Sequence, residues 1–319
     1  MIIAHHFSVH GGFDFPITSI TFNRLWYQFI LMGGSLGNNI FVLISGYFLV
    51  KSKGLNYIRL INLWLRMIFY SVIIYAVFAY FGSVHIELKA LIKVVSGFNL
   101  WFADIYIIMY LLHPYINILI NAMSCGDYRK FLTSIFIYWS IIPMFTGGSF
   151  GGNALIHFVC LYSLAGYVRL WCDDYGSKKF ILIGACFIAL NYISIIVFDI
   201  IGLQVNLFAR NATYMTGMMR PLTICATLCL LIGFKHLNIK HSKIINTLAA
   251  ATFGVYLIHD NGFIRPFLWH EVFRNASYQN SPYLIPYSIA VIVIVYVSCT
   301  VIEILRSKIF RVLSRGKLS

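Results

Sequence analysis

The chain has 319 residues, of which 60% are apolar, 17% aromatic and only 11% charged. Twenty-four Lys and Arg against ten Asp and Glu give a formal charge of +14. A soluble domain carries about 25% charged residues and cannot hide this much apolar surface in one core, which excludes a soluble enzyme, a disordered tail and a disulfide-stapled module and leaves a polytopic membrane protein.

A helix needs about 20 mostly apolar residues to cross a bilayer. In chain order the apolar runs predict spans near 1–8, 27–49, 60–82, 101–121, 131–146, 154–170, 180–201, 219–234, 245–259 and 283–304. The first run is too short to cross, and the chain reads as starting halfway through its first helix. Turn-forming stretches separate the runs, among them Lys51-Ser52-Lys53-Gly54, Ser124-Cys125-Gly126-Asp127 and the glycine-rich Gly147 to Gly152. The segment 84–97, with His85, Glu87, Lys89 and Lys93, is amphipathic and predicts a helix lying at the interface. The expected fold is all-α: one domain over 1–319, a transmembrane bundle of about ten spans with the first truncated.

The basic excess does not describe a nucleic-acid binder, because it sits in short loops between apolar runs and not on one soluble face. Most Lys and Arg, including Lys51, Lys53, Arg59, Arg129, Lys130, Lys178, Lys179, Lys235, Arg306, Lys308 and Arg311, fall on loops of one side. The positive-inside rule makes that side cytoplasmic and puts the C-terminus there, in a multi-pass protein of the cell membrane surrounded by lipid. Cys125 and Cys172 fall in inner loops and the other five cysteines in spans, so no outer disulfide framework is expected. Cys225 and Cys229 have helical spacing that suits packing.

Polar groups at membrane depth are costly and are functional candidates for that reason. His5, His6 and His10 cluster at the outer end of the first helix. Imidazole takes and returns a proton near neutral pH, so a general base, a metal ligand set and a packing role all compete for these residues. No further ligands follow at a recognisable metal spacing, and no metal is expected. His270-Glu271 lacks the second His of the zinc-protease pattern, since Arg274 stands there. On the inner side Lys51, Lys53, Arg59 and Arg66 form a basic strip that either anchors the chain or grips phosphates. Asp104 sits early in a span, Asp260 closes one, and Arg210, Arg220 and Arg265 lie outside beside apolar runs, each as part of an ion pair or of a sugar-binding lip.

Four segments carry a resemblance: Ile2-Ile3-Ala4-His5-His6-Phe7; Asn39 to Leu49 with Ser45-Gly46-Tyr47; Leu100-Trp101-Phe102 running on to Leu112-His113-Pro114; and Thr252 to His259 with Tyr256. In this order they resemble the acyltransferase-3 family of membrane acyltransferases, which includes O-acetyltransferases of surface polysaccharides. The resemblance implies a catalytic His at His6, with His5 adjacent, and a motif or acceptor side at Ser45, Gly46, Tyr47, Trp101, Asp104, Tyr256 and His259. It places the family's basic inner strip on Arg59 and Arg66, beside Lys51 and Lys53, as an acyl-CoA grip. Five residues after Trp101, where that family often has Glu, stands Tyr106. The implied activity is transfer of an acyl group, acetyl in the first instance, from cytosolic acetyl-CoA to a hydroxyl of an extracytoplasmic polysaccharide or glycolipid. A transporter or flippase for acyl or lipid-linked sugar cargo, without chemistry, is the alternative that the charged span interiors also suit.

Overall fold

The computed structural model describes all residues except 18, 83–86, 148–152, 173–174 and 316–319. The Gly148 to Gly152 part of the glycine-rich stretch and His85 lie outside the described residues.

Among the described residues the fold is helical, with no strand. In chain order the helices are α1 (Ile2–Val9), α2 (Phe22–Leu31), α3 (Gly33–Leu49), α4 (Tyr57–Tyr80), α5 (Leu88–Ser96), α6 (Trp101–Asn121), α7 (Cys125–Phe136), α8 (Ile142–Thr146), α9 (Ala154–Trp171), α10 (Lys179–Gly202), α11 (Asn206–Arg210), α12 (Pro221–Lys235), α13 (Lys243–His259), α14 (Ile264–Pro266) and α15 (Leu284–Arg315). Local chemistry sets the boundaries. Thr21, Ser124, Asn153 and Ser242 each accept a backbone N–H of the first turn, starting α2, α7, α9 and α13. Pro221 opens α12, where its missing N–H is not needed. Gly97 ends α5 at φ 77°, a conformation that favours glycine.

Among the described residues seven helical stretches are long and apolar enough to cross a membrane: Phe22–Leu49, Tyr57–Tyr80, Trp101–Asn121, Ala154–Trp171, Lys179–Gly202, Asn206–Lys235 and Leu284–Leu313. They match seven of the expected runs. The other three are helical but do not meet that standard. The run near 1–8 is the eight-residue α1, and that near 245–259 is the 17-residue α13. The run near 131–146 passes from α7 through a π-helical turn at Ile137–Ile141 into α8. The amphipathic segment forms α5, pinned where the Trp64 indole donates to the Ser96 carbonyl at 2.8 Å.

Chain contacts divide the molecule into two compact units. The first holds Met1, Phe15–Leu60 and Phe102–Asn238. In it α10 packs on α12, and α3 packs on α9 and α12. Gly46 lets α3 approach α9 closely, because a Cβ there would lie 2.9 Å from the Tyr162 Cα. Buried polar groups are paired across these helices. Asn39 donates to the Met218 carbonyl at 2.9 Å, and its oxygen lies 3.0 Å from His157 Nε2. Tyr162 donates to Asn117 at 2.7 Å. Arg24 and Asp199 form a sealed ion pair at 2.5 Å, with side chains 6% and 0% exposed. The other Arg24 nitrogen donates to the carbonyls of Pro16, Ile17 and Ser19, fixing the chain that leads into α2.

The second unit holds Ile2–Asp14, Ile61–Trp101 and Ile239–Ser319. Here α13 packs on α15, and α1 rests on both. Phe7 of α1 is buried against the edge of Trp269, itself fully buried in a π-helical turn at Phe267–Val272. The chain after α1 is held by a two-way bond: Asp14 N–H donates to Gln279 Oε1 at 2.6 Å, and Gln279 Nε2 donates to the Asp14 carbonyl at 2.7 Å. These clamps seat α1 although it is far too short to be stable alone.

Candidate functional site

In the second unit, the C-terminal ends of α1 and α13 bring together residues 253 positions apart. His6 Nδ1 lies 2.9 Å from His259 Nε2 and 3.4 Å from an Asp260 carboxylate oxygen. His10 Nε2 lies 3.7 Å from the same oxygen. Arg265 donates to it from Nε at 3.0 Å and from Nη2 at 2.8 Å, and from Nη2 to the Asp260 carbonyl at 3.1 Å. The His5 and Tyr256 rings flank His6, with centroids 5.5 and 6.4 Å from it. One turn of α1 separates His6 from His10, which is why both reach Asp260.

The hydrogen bonds have a direction. His259 Nδ1 is 2.6 Å from the Val255 carbonyl, which can only accept. His259 therefore carries its proton on Nδ1 and offers the Nε2 lone pair. His6 must donate Nδ1–H to it, which leaves the lone pair of His6 on Nε2. Burial raises the Asp260 carboxyl to about 6, against the pull of Arg265 in the other direction. Burial, and after it the Arg265 charge, lower His10 to about 4, so its ring is neutral at pH 7.

His6, His10 and Asp260 offer ligand atoms all within 4.8 Å of one another, a donor set of the kind that takes zinc. A cation there would compete with Arg265 for the same carboxylate oxygen.

Farther down the same unit stands a second charged cluster. Glu303 of α15, only 1% exposed, accepts from Tyr70 at 2.5 Å and from Arg306 at 2.7 and 2.8 Å. Arg66 is 3.6 Å from it. A Cβ on Gly254 would collide with this carboxylate, so glycine lets α13 pass directly over it. Glu303 is the one acid within the apolar run 283–304, and that placement alone marks it as a functional candidate; sequence reasoning passed over it, as it did Asp199 in the run 180–201.

The remaining expected residues lie in the first unit, apart from Trp101, which is in the second and half exposed. Ser45 donates to the Phe41 carbonyl and is 3.2 Å from the Tyr106 hydroxyl, the residue at the position where the resemblance anticipates Glu. Tyr47 accepts from Arg169 at 2.8 Å, and Gly46 serves helix packing. Asp104 is half-buried in the first turn of α6. Lys51 and Lys53 are exposed and line a cavity of about 540 Å³ with Asn117 and Asn121, while Arg59 is exposed at the start of α4.

The sequence model of the acyltransferase-3 family, an acyltransferase domain, matches residues 1–303. The chain belongs to the acyltransferase-3 family. The family match runs through both units and takes in His6, His259 and Asp260 as well as Glu303. Together with seven helices fit to cross a bilayer, it identifies a membrane acyltransferase of the acyltransferase-3 type. No curated protein and no solved structure matches the chain.

Proposed function

We propose that this acyltransferase moves an acyl group, acetyl in the first instance, from cytosolic acyl-CoA to a hydroxyl of an extracytoplasmic polysaccharide or glycolipid, with His6 as general base. The reading adds α1, the α7–α8 run and α13 to the seven long helices, for about ten spans in the cell membrane with the C-terminus inside. The observation that carries it is the oriented chain from the Val255 carbonyl through His259 to His6, which fixes the basic lone pair on His6 Nε2. His6 keeps about 10% of its side chain exposed, enough for one edge to meet a substrate.

A sugar hydroxyl is a poor nucleophile until a base takes its proton. His6 Nε2 takes that proton as the oxygen attacks the thioester carbonyl. The carbon–sulfur bond then breaks, and the thiolate recovers the proton from the imidazolium. His259 and Asp260 receive the His6 Nδ1–H, and the Asp260 charge stabilises the imidazolium between the two steps. Tyr256 and His5 wall the ring. Ser45, Tyr47, Trp101 and Asp104 are assigned to the acceptor side by family position. Lys51, Lys53, Arg59 and Arg66 attract the polyanionic donor to the inner face. No observation favours a transporter: the described features that distinguish this site are those of an oriented base.

The test is His6→Ala in membranes supplied with acetyl-CoA. Ester-linked acetyl on the surface glycan is expected to fall by roughly 10²–10⁴-fold while the protein inserts and melts normally. Undiminished acetylation removes His6 as the base.

A further inference from the structure

A cleft of about 380 Å³ opens between the inner parts of α13 and α15, lined by Asn246, Thr247, Ala250, Ser307, Lys308 and Arg311, with Glu303 at its floor. This size falls within the roughly 300–1,000 Å³ range of small-molecule sites. Lys308 and Arg311 line the cleft beside Glu303, whose carboxylate is itself held by Arg306 and approached by Arg66. Asn246 and Thr247 lie in the N-terminal part of the 17-residue α13, where the helix dipole favours an anion. Ala250 and Ala251 leave room above the backbone.

We infer that this cleft seats the phosphate groups of the acyl donor, with Lys308 and Arg311 as their ligands and α13 as the guide for the acyl-bearing arm. The inference rests on the acyl-CoA reading above and assigns to it a binding site distinct from the Lys51, Lys53 and Arg59 strip. One straight helix joins the cleft to the base. From Thr247 to His259 the 1.5 Å rise per residue gives about 18 Å, a span that an extended phosphopantetheine arm crosses. Phosphates held at the cytosolic end therefore leave a thioester within reach of His6. Glu303, fastened by Tyr70 and Arg306, takes up the charge of Arg306 and Arg66, which leaves Lys308 and Arg311 as the cations that line the cleft.

The chemistry recognised is a phosphate ester, which a lipid headgroup also carries, so the experiment separates the two. The full chain is purified into nanodiscs of neutral lipid and coenzyme A binding is measured by calorimetry. Lys308→Glu combined with Arg311→Glu is expected to weaken coenzyme A binding by at least about tenfold, whereas acetyl-pantetheine, which has no phosphate, binds variant and wild type alike. Ala250→Trp fills the cleft without touching its charge, and is expected to weaken coenzyme A binding similarly; melting curves check that both variants fold. Unchanged coenzyme A affinity in both folded variants overturns the assignment. So does a loss confined to binding of phosphatidylglycerol vesicles, which makes the cleft a lipid site. A wild-type protein that binds no coenzyme A overturns the donor reading itself, a result distinct from failure of the cleft because it appears without any substitution.

Discussion

Two Arg–Asp pairs, one in each unit, show how the same chemistry serves different ends. Arg24–Asp199 is closed: both side chains are shut off from solvent, and the guanidinium spends its spare donors on three carbonyls of its own segment. Arg265–Asp260 is open on one side, with the guanidinium 32% exposed and the carboxylate 2%. Its carboxylate is shared with His6 and His10. A charge sealed with its partner holds a fold together. A charge that is half open beside imidazoles stays within reach of solvent and of a proton.

The difference is sharpest when one partner is removed. Asp199→Ala leaves Arg24 buried without its counter-charge, a change that costs about 3–5 kcal/mol. The variant is expected to fail to accumulate as folded protein, and to melt far below wild type where it can be recovered. Asp260→Ala leaves a guanidinium that solvent already reaches, so its stability cost is expected to be much smaller. Equal losses of melting temperature in the two variants would erase the distinction between the pairs.

The spans were legible because hydrophobicity acts locally: seven runs read from the sequence are the seven long helices. α1, α13 and the α7–α8 run were legible as helices; that α1 and α13 are shorter than the seven, and that the third is broken by a π-helical turn, does not appear in a hydropathy pattern. His6 was legible as a rare polar group at membrane depth, and His259 as part of a motif. That the two rings touch was not, because nothing local joins residues 253 apart. Asp260 and Arg265 read as an ion pair or a lip, and they form the pair; their hold on the imidazoles emerges only when α1 docks on α13. Glu303 carried a readable signal, a lone acid in an apolar run, while the Gly254 backbone that makes room for it was beyond any spacing argument.

The open pair also titrates where the closed one has no access to solvent. Burial raises Asp260 to about 6, so it is charged above that pH and takes a proton as the pH falls through it. Once neutral, it no longer balances the His6 imidazolium and loosens its hold on Arg265. Transfer is expected to decline below about pH 6. Asp260→Asn cannot titrate, so its rate is expected to be lower throughout and to lack that limb. A limb at the same pH in the Asn variant would assign the titration to another group and reduce Asp260 to a packing role.

The smallest effect distinguishes charge from shape at Arg265. Lysine keeps the positive charge beside Asp260 but cannot bond the carboxylate and the Asp260 carbonyl from one planar fork. One charge-assisted bond at a site one-third exposed is a modest loss, because water replaces part of it. Arg265→Lys is therefore expected to lower kcat a fewfold without moving the melting temperature, and Arg265→Ala to lower it further, since Asp260 then has only imidazoles to hold it. If Arg265→Lys and Arg265→Ala lose the same activity, the fork matters and the charge does not; if neither loses any, Asp260 is positioned by the helix end alone and the open pair plays no part in transfer.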